Sequence, residues 1–217
     1  TYIGAGGFQN CTSLTEVTLP ESVTTLRTMA FRGCTNLRTV NLSNITTYER
    51  LLFEGCEHLE IQNVTFPDDM TAIPDQIFAN CKSIRAVTFP SQLETIGYNA
   101  FSGCSGITEI NLPQSVTSIE YGAFAGTSIS SIVLPNAVTV LSPRMFKQCE
   151  QLTSATFSND ITSIGSETFR WTALESITIP GTVSTVEQVA FADMPNLKTA
   201  VIEDGEAPLT FGLGFFY

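Results

Sequence analysis

The stretch Leu93-Glu94-Thr95-Ile96-Gly97-Tyr98-Asn99-Ala100-Phe101-Ser102-Gly103-Cys104-Ser105-Gly106-Ile107-Thr108-Glu109-Ile110-Asn111-Leu112-Pro113 decides the fold, because the chain on both sides of it repeats it. Outward from Phe101, a phenylalanine returns about every 23 residues, at Phe8, Phe31, Phe53, Phe78, Phe124, Phe146, Phe169, Phe191 and Phe216. A period in this range marks stacked units, each too small to bury its own apolar residues. The product is a ladder with a broad lateral surface and no obligatory cleft.

Within the unit, Ile107, Ile110 and Leu112 have counterparts in Leu14, Val17 and Leu19, in Leu37, Val40 and Leu42, in Ile84, Val87 and Phe89, and in Leu174, Ile177 and Ile179. The last two of each set alternate with a polar residue, as a short strand with one buried side requires. Each turn is therefore expected to supply one short strand to a parallel sheet. Pro20, Pro67, Pro90, Pro113, Pro135 and Pro180 follow these strands and end them, since proline cannot donate to the ladder. A second apolar pair comes next, as Val116 with Ile119 or Val183 with Val186, and then the anchor ring. Stacking predicts the ten phenylalanines in one internal column, in a body about 40 Å long at a strand spacing of about 4.8 Å.

The chain has 217 residues, 43% of them hydrophobic and 14% charged, which is ample material for a core and too little charge for disorder. Because the repeat runs unbroken, residues 1–217 are expected to form a single domain of about nine turns without a linker. The formal charge of −11 disfavours nucleic acid and anionic membranes, whose recognition depends on cationic side chains. No apolar run approaches the roughly 20 residues that span a bilayer, so direct membrane insertion is not expected. The sequence opens inside a repeat, at Ile3-Gly4, without a signal peptide, and stops at Tyr217, one residue after an anchor ring. It is expected to be a segment of a longer chain.

Chemistry is sparse. Cys11, Cys34, Cys56, Cys81, Cys104 and Cys149 each lie three residues after an anchor ring, a place that Thr127, Thr172 and Met194 fill elsewhere. They lack the paired spacing of a metal site, and in-register stacking at about 4.8 Å exceeds the Cβ separation of about 3.8 Å that a disulfide prefers. Buried free thiols acting as small hydrophobes are expected. With His58 the single histidine and the carboxylates scattered over the turns, no catalytic set is expected. Gly4-Ala5-Gly6-Gly7 has no preceding strand and reads as a variant of the segment before an anchor ring. Asp68-Asp69 and Glu203-Asp204-Gly205-Glu206 lack the ligand spacing of a calcium loop. No metal and no cofactor are expected.

What remains is surface. The outward strand residues are mostly threonine and serine, which suit exposed strand positions for steric reasons alone. The residues with longer reach, amide groups or charge are the candidate contacts: Arg38, Asn41, Gln62, Asn63, Arg85, Glu109, Asn111, Glu175 and Lys198. Trp171 occupies a turn position that Gly33, Gly55, Gly103 and Gly126 fill in other units. Its ring is either an exposed anchor or a packing group over Gln148 or Asp193. The third unit replaces the usual small residues with Tyr48-Glu49-Arg50-Leu51-Leu52, and its 25-residue interval predicts a local bulge there.

These residues resemble the leucine-rich repeats of the BspA-like class, whose units read approximately L-x-x-L-x-L-P-x-S-V-x-x-I-G-x-x-A-F-x-G-C. The match covers essentially the whole chain. The resemblance implies an arc-shaped α/β-type repeat solenoid with little regular helix, whose outward strand residues make a concave face. It also implies a protein displayed on or released from cells and associated with adhesion and protein binding. The expected function is accordingly non-enzymatic recognition of a protein ligand, such as a host or neighbouring-cell surface protein, through the strand face. The alternative is a spacer or an end-to-end self-associating element of a larger surface protein. Carbohydrate binding would want exposed aromatic platforms, which the strand face lacks apart from Trp171.

Overall fold

The computed structural model describes residues 1–61, 63–205 and 208–212. Gln62 and Phe216 lie outside the described residues, so the ring column is followed from Phe8 to Phe191.

Most turns contribute two strands where the sequence pattern predicts one; the turn at residues 107–112 forms none in the first column, which corrects the expectation of a strand before Pro113. The first column holds β2 (Glu16–Val17), β4 (Thr39–Val40), β6 (Asn63–Thr65), β8 (Ala86–Thr88), β11 (Ser131–Val133), β13 (Ser154–Thr156), β15 (Ser176–Ile179) and β17 (Thr199–Ile202). The second column, at the second apolar pair, holds β1 (Tyr2–Ile3), β3 (Thr25–Leu26), β5 (Thr47–Tyr48), β7 (Ala72–Ile73), β9 (Thr95–Ile96), β10 (Ser118–Ile119), β12 (Val140–Leu141), β14 (Ser163–Ile164), β16 (Thr185–Val186) and β18 (Thr210–Phe211). All pairings are parallel and in register from one turn to the next, as Val17 with Val40 and Ile96 with Ile119. A two-residue strand shows no alternation in the sequence. It becomes a strand because its neighbours one turn away are extended at the same place and take up its backbone groups.

No helix occurs among the described residues, which corrects the α/β-type expectation. The segment around the anchor ring makes a ladder of its own. Leu51, Phe53 and Gly55 donate their N–H groups to Asp75, Ile77 and Ala79 of the next turn, at 2.9, 2.9 and 2.7 Å, while Cys56 donates back to Phe53 within its own turn at 2.9 Å. The residues two before and two after the ring both have left-handed backbone, as Asn99 (φ 49°) and Gly103 (φ 72°) do around Phe101. Such alternation satisfies the backbone without helical hydrogen bonds and repeats in every described turn from Phe8 to Phe191.

Left-handed backbone is costly for a β-branched residue, and Val189 carries it with φ 52°. Asn99 holds the same place in another turn. Val189→Asn is therefore expected to stabilise the fold by about 1 kcal/mol, read as a higher urea midpoint at unchanged slope.

Consecutive anchor rings stack nearly parallel from Phe8 to Phe191, with centroids 5.2 to 6.2 Å apart. From Phe31 to Phe191 the rings are buried, flanked by the inward strand residues of both columns. Phe8, in the first turn, is only partly covered.

The two extra residues of the third interval fall elsewhere than at Tyr48–Leu52. That segment keeps register, Tyr48 opposite Leu26, with Tyr48 and Leu52 buried. The insertion lies just before β6. In the other described units two residues separate the inward positions, as between Leu37 and Val40 or Ile84 and Val87, whereas four separate Leu59 from Val64. Glu60 still donates to Arg38 at 2.7 Å, but β4 and β6 do not pair.

Candidate functional site

Five of the six cysteines are buried and all six are free thiols; Cys11, in the first turn, is exposed, which corrects the expectation of a uniformly buried column. The buried thiols do more than fill space. Cys34, Cys56, Cys81, Cys104 and Cys149 donate to the carbonyl oxygens of Phe8, Phe31, Phe53, Phe78 and Phe124, the anchor rings of the preceding turns, at 2.9 to 3.2 Å. Thr127 and Thr172 donate to the anchor carbonyls of their own turns, Phe124 and Phe169. Burial pushes the Cys56 and Cys104 thiols up to about 12 and Cys149 to about 11. Thiolate, the reactive species, is thereby suppressed at neutral pH. Titration of the folded protein with a thiol-alkylating reagent at pH 8 is expected to label one cysteine rapidly, and six after unfolding; a second fast equivalent would show that a turn opens.

Trp171 is partly buried, with left-handed backbone (φ 61°). Its ring lies under two cations, the Arg170 guanidinium at 4.1 Å and the Lys147 ammonium at 5.2 Å from the ring centre. Both pair with the buried carboxylate of Glu167, which also takes Arg144 at 2.7 Å. Arg170 bridges on to Asp193 at 2.7 Å, and Arg144 lies over Tyr121, itself stacked on Tyr98 at 5.0 Å. The Trp171 ring thus belongs to a saturated network of ion and cation–π pairs on the anchor-turn side, away from the first strand column. This arrangement is a clamp across adjacent turns rather than an open platform.

The first strand column carries the other candidates on its solvent face. Arg38 pairs with Glu60 at 2.7 Å and Lys198 with Glu175 at 2.9 Å, each side chain more than half exposed. Exposed pairs of this kind add little stability and stay available to a partner. Asn111 donates to Glu109 at 2.8 Å, Thr88 donates to Asn63 at 3.2 Å, and Arg85 is exposed. Asn41 is committed differently. Its side chain accepts the Leu19 N–H at 2.6 Å and donates to the Leu19 carbonyl at 3.0 Å, completing the ladder between the first two turns.

Breaks in this column make relief. Its strands pair as β2 with β4, β6 with β8, β11 with β13 and β15 with β17, and a depression opens at each seam. Between the second and third turns the space is about 500 Å³; where Glu109 and Asn111 face Ser130, Ser131 and Val133 it is about 470 Å³; between Thr156 and Thr178 it is about 220 Å³. The second column breaks along the same coils, between β5 and β7 and between β10 and β12, and there the anchor-ring segments carry the ladder across, Phe53 donating to Ile77 at 2.9 Å and Gly122 to Pro143 at 3.0 Å.

Two surface features escaped the sequence pattern. Val133, in an outward position of β11, is 64% exposed in the middle depression. A second hydroxyl row flanks the second strand column, where Thr46, Thr117, Thr162 and Ser184 donate to carbonyls of the preceding turns at 3.2 to 3.4 Å. The signal for that row was the recurring Thr or Ser directly after the first member of the second apolar pair. No group of His, Cys, Asp and Glu able to hold a metal ion occurs among the described residues.

Fold and surface together define a repeat solenoid with two parallel strand columns, no helix among the described residues and one relieved, exposed strand face. The model of the BspA type leucine-rich repeat region matches residues 1–124 and 71–198, in six copies, and the chain belongs to this family. The solved structure of a leucine-rich cell surface protein from Faecalibacterium prausnitzii is similar, with 22% identity over 95% of this chain and 77% of that one, at a TM-score of 0.57. A leucine-rich repeat protein from Eubacterium ventriosum aligns at 18% identity over 93% and 70% of the two chains, with a TM-score of 0.56. The pneumococcal vaccine antigen PcpA aligns at 15% identity over 94% and 72%, with a TM-score of 0.57. At these identities the likeness is one of fold. No curated protein matches the sequence.

Proposed function

We propose that this chain is a non-enzymatic recognition module of a cell-surface or secreted protein, and that it binds a protein ligand through its first strand column. The observation that carries this reading is the exposed row formed by Arg38 with Glu60, Arg85, Glu109 with Asn111, and Glu175 with Lys198, interrupted by seams that give an otherwise flat sheet shape. Extended faces of this type collect many modest contacts, and a few anchors dominate the affinity. Description of the Faecalibacterium prausnitzii relative as a cell surface protein supports the location.

The test is binding to host and neighbouring-cell surface proteins, with Arg85→Ala and Glu109→Ala compared against the parent. A loss of about tenfold or more for either variant is expected if it is an anchor. Unchanged affinity for a verified ligand in both places the site on another face. A second reading, a spacer or self-associating element, has one observation in its favour: all four residues of β17 are exposed, with Val201 and Ile202 each 46% so. Light scattering of a strict monomer at high concentration would rule out self-association.

A further inference from the structure

We infer that the seam between the second and third turns is an anchor slot, which takes one aromatic or branched aliphatic side chain from a basic, extended segment of the protein ligand. This inference rests on the strand-face reading and deepens it. The space of about 500 Å³ lies within the range of roughly 300–1,000 Å³ usual for ligand sites. Its walls are Val40, Leu42, Ile45, Tyr48, Ile61 and Phe66, and its mouth carries Ser43, Asn63 and Thr65. Nothing in the lining is charged. A neutral apolar group is the occupant such walls favour, and an ionised one would lose its hydration there without a partner.

The slot lies where the two-residue insertion falls, between the buried residues Leu59 and Val64. β4 and β6 do not pair there, and Val40, Leu42 and Ile61 stay partly uncovered. Its floor is firm, since Tyr48 and Phe66 meet edge to face at 5.8 Å and both are buried. Charge selects the flanks of the occupant. Asp68 and Asp69, both exposed, follow Pro67 at the edge of the slot, and the chain as a whole carries −11. Lysine or arginine beside the anchor side chain would meet carboxylates on arrival and gain association rate from the field.

A display library of linear peptides, selected on the folded protein, tests this. Enriched peptides are expected to share one aromatic or branched aliphatic residue flanked by Lys or Arg, and to shift the methyl resonances of Val40, Ile61 and Val64. Ser43→Trp, which fills the mouth from an exposed position, should weaken them at least about tenfold, as loss of a hot-spot pocket does. Asp68→Asn with Asp69→Asn, which leaves the walls intact, should weaken them about three- to fivefold and flatten the salt dependence. Melting curves verify that each variant is folded, and the aspartate pair and the methyl shifts still decide if Ser43→Trp is not. Peptides that bind Ser43→Trp equally well while shifting the amides of Arg85 and Glu109 overturn the slot and leave the strand-face reading standing. Enrichment of acidic peptides, or no enrichment, overturns the slot as well; binding of whole proteins to the Arg85 and Glu109 variants then judges the wider face separately.

Discussion

Phe101→Ala is expected to lower the unfolding free energy by about 3–5 kcal/mol, the usual cost of emptying a large buried aromatic site. The ring is fully buried, stacked on Phe78 at 6.1 Å and Phe124 at 5.9 Å, and met edge-on by Phe89 at 5.8 Å. In a repeat array each unit touches only its neighbours, so the damage also weakens the coupling between the two halves of the body. Urea unfolding should therefore show an earlier midpoint together with a broader or two-step transition. Phe8→Ala is the control. That ring is only partly covered, so its loss should cost less than half as much. Equal costs at the two positions would contradict a stacked column as the main source of cohesion.

The second large effect is expected at Glu167. Its carboxylate is buried and serves Arg144, Lys147 and Arg170 together. Glu167→Gln would keep the shape and leave three cations facing one another without an anion. Removing one partner of a buried pair costs about 3–5 kcal/mol; with the cations partly in water, a loss of about 2 kcal/mol is expected here. Burial alone would raise this carboxyl, but hydrogen bonds and charge from Lys147 and Arg144 outweigh it and hold the group below its ordinary value of 4.5. A depressed acid stabilises the fold where the unfolded chain would already be ionised. The advantage of the parent over Glu167→Gln should be full above pH 4.5 and should shrink as the pH falls through the lower folded value. Parallel denaturation curves from neutral pH to pH 3 check this, and a gap that does not narrow in acid would show that the carboxylate's charge is not what matters.

Much of the architecture was legible before any coordinates. The phenylalanine period, the strand before most of the recurring prolines and the cysteine position three residues after a ring are local patterns repeated many times, and repetition turns a weak signal into a strong one. The second strand column was not legible as strands. Two residues are too few to show a period of two, and their extended state is enforced by the turns above and below. The third-interval bulge was misplaced for a related reason. The large residues at 48–52 stood out in the sequence, yet they fit the stack, while the extra length falls between the buried residues Leu59 and Val64, where composition looks ordinary.

The candidate face shows the same division. Outward positions such as Arg85, Glu109 and Lys198 follow from strand alternation, but whether a side chain is free or spent does not. Asn41 is spent on the backbone of Leu19, about one turn away, and Trp171 on cations whose spacing in the sequence bears no local signature.

By itself the sequence determined that this protein is a stack, which rings hold it together and which strand edge looks outward, because each of those depends on a pattern within one unit. Only the tertiary structure decided that the stack has two strand columns and no helix among the described residues, where its first column parts, and which polar groups are already satisfied. Those outcomes depend on what lies one turn above and below, a contact set by register between units and not by neighbours along the chain.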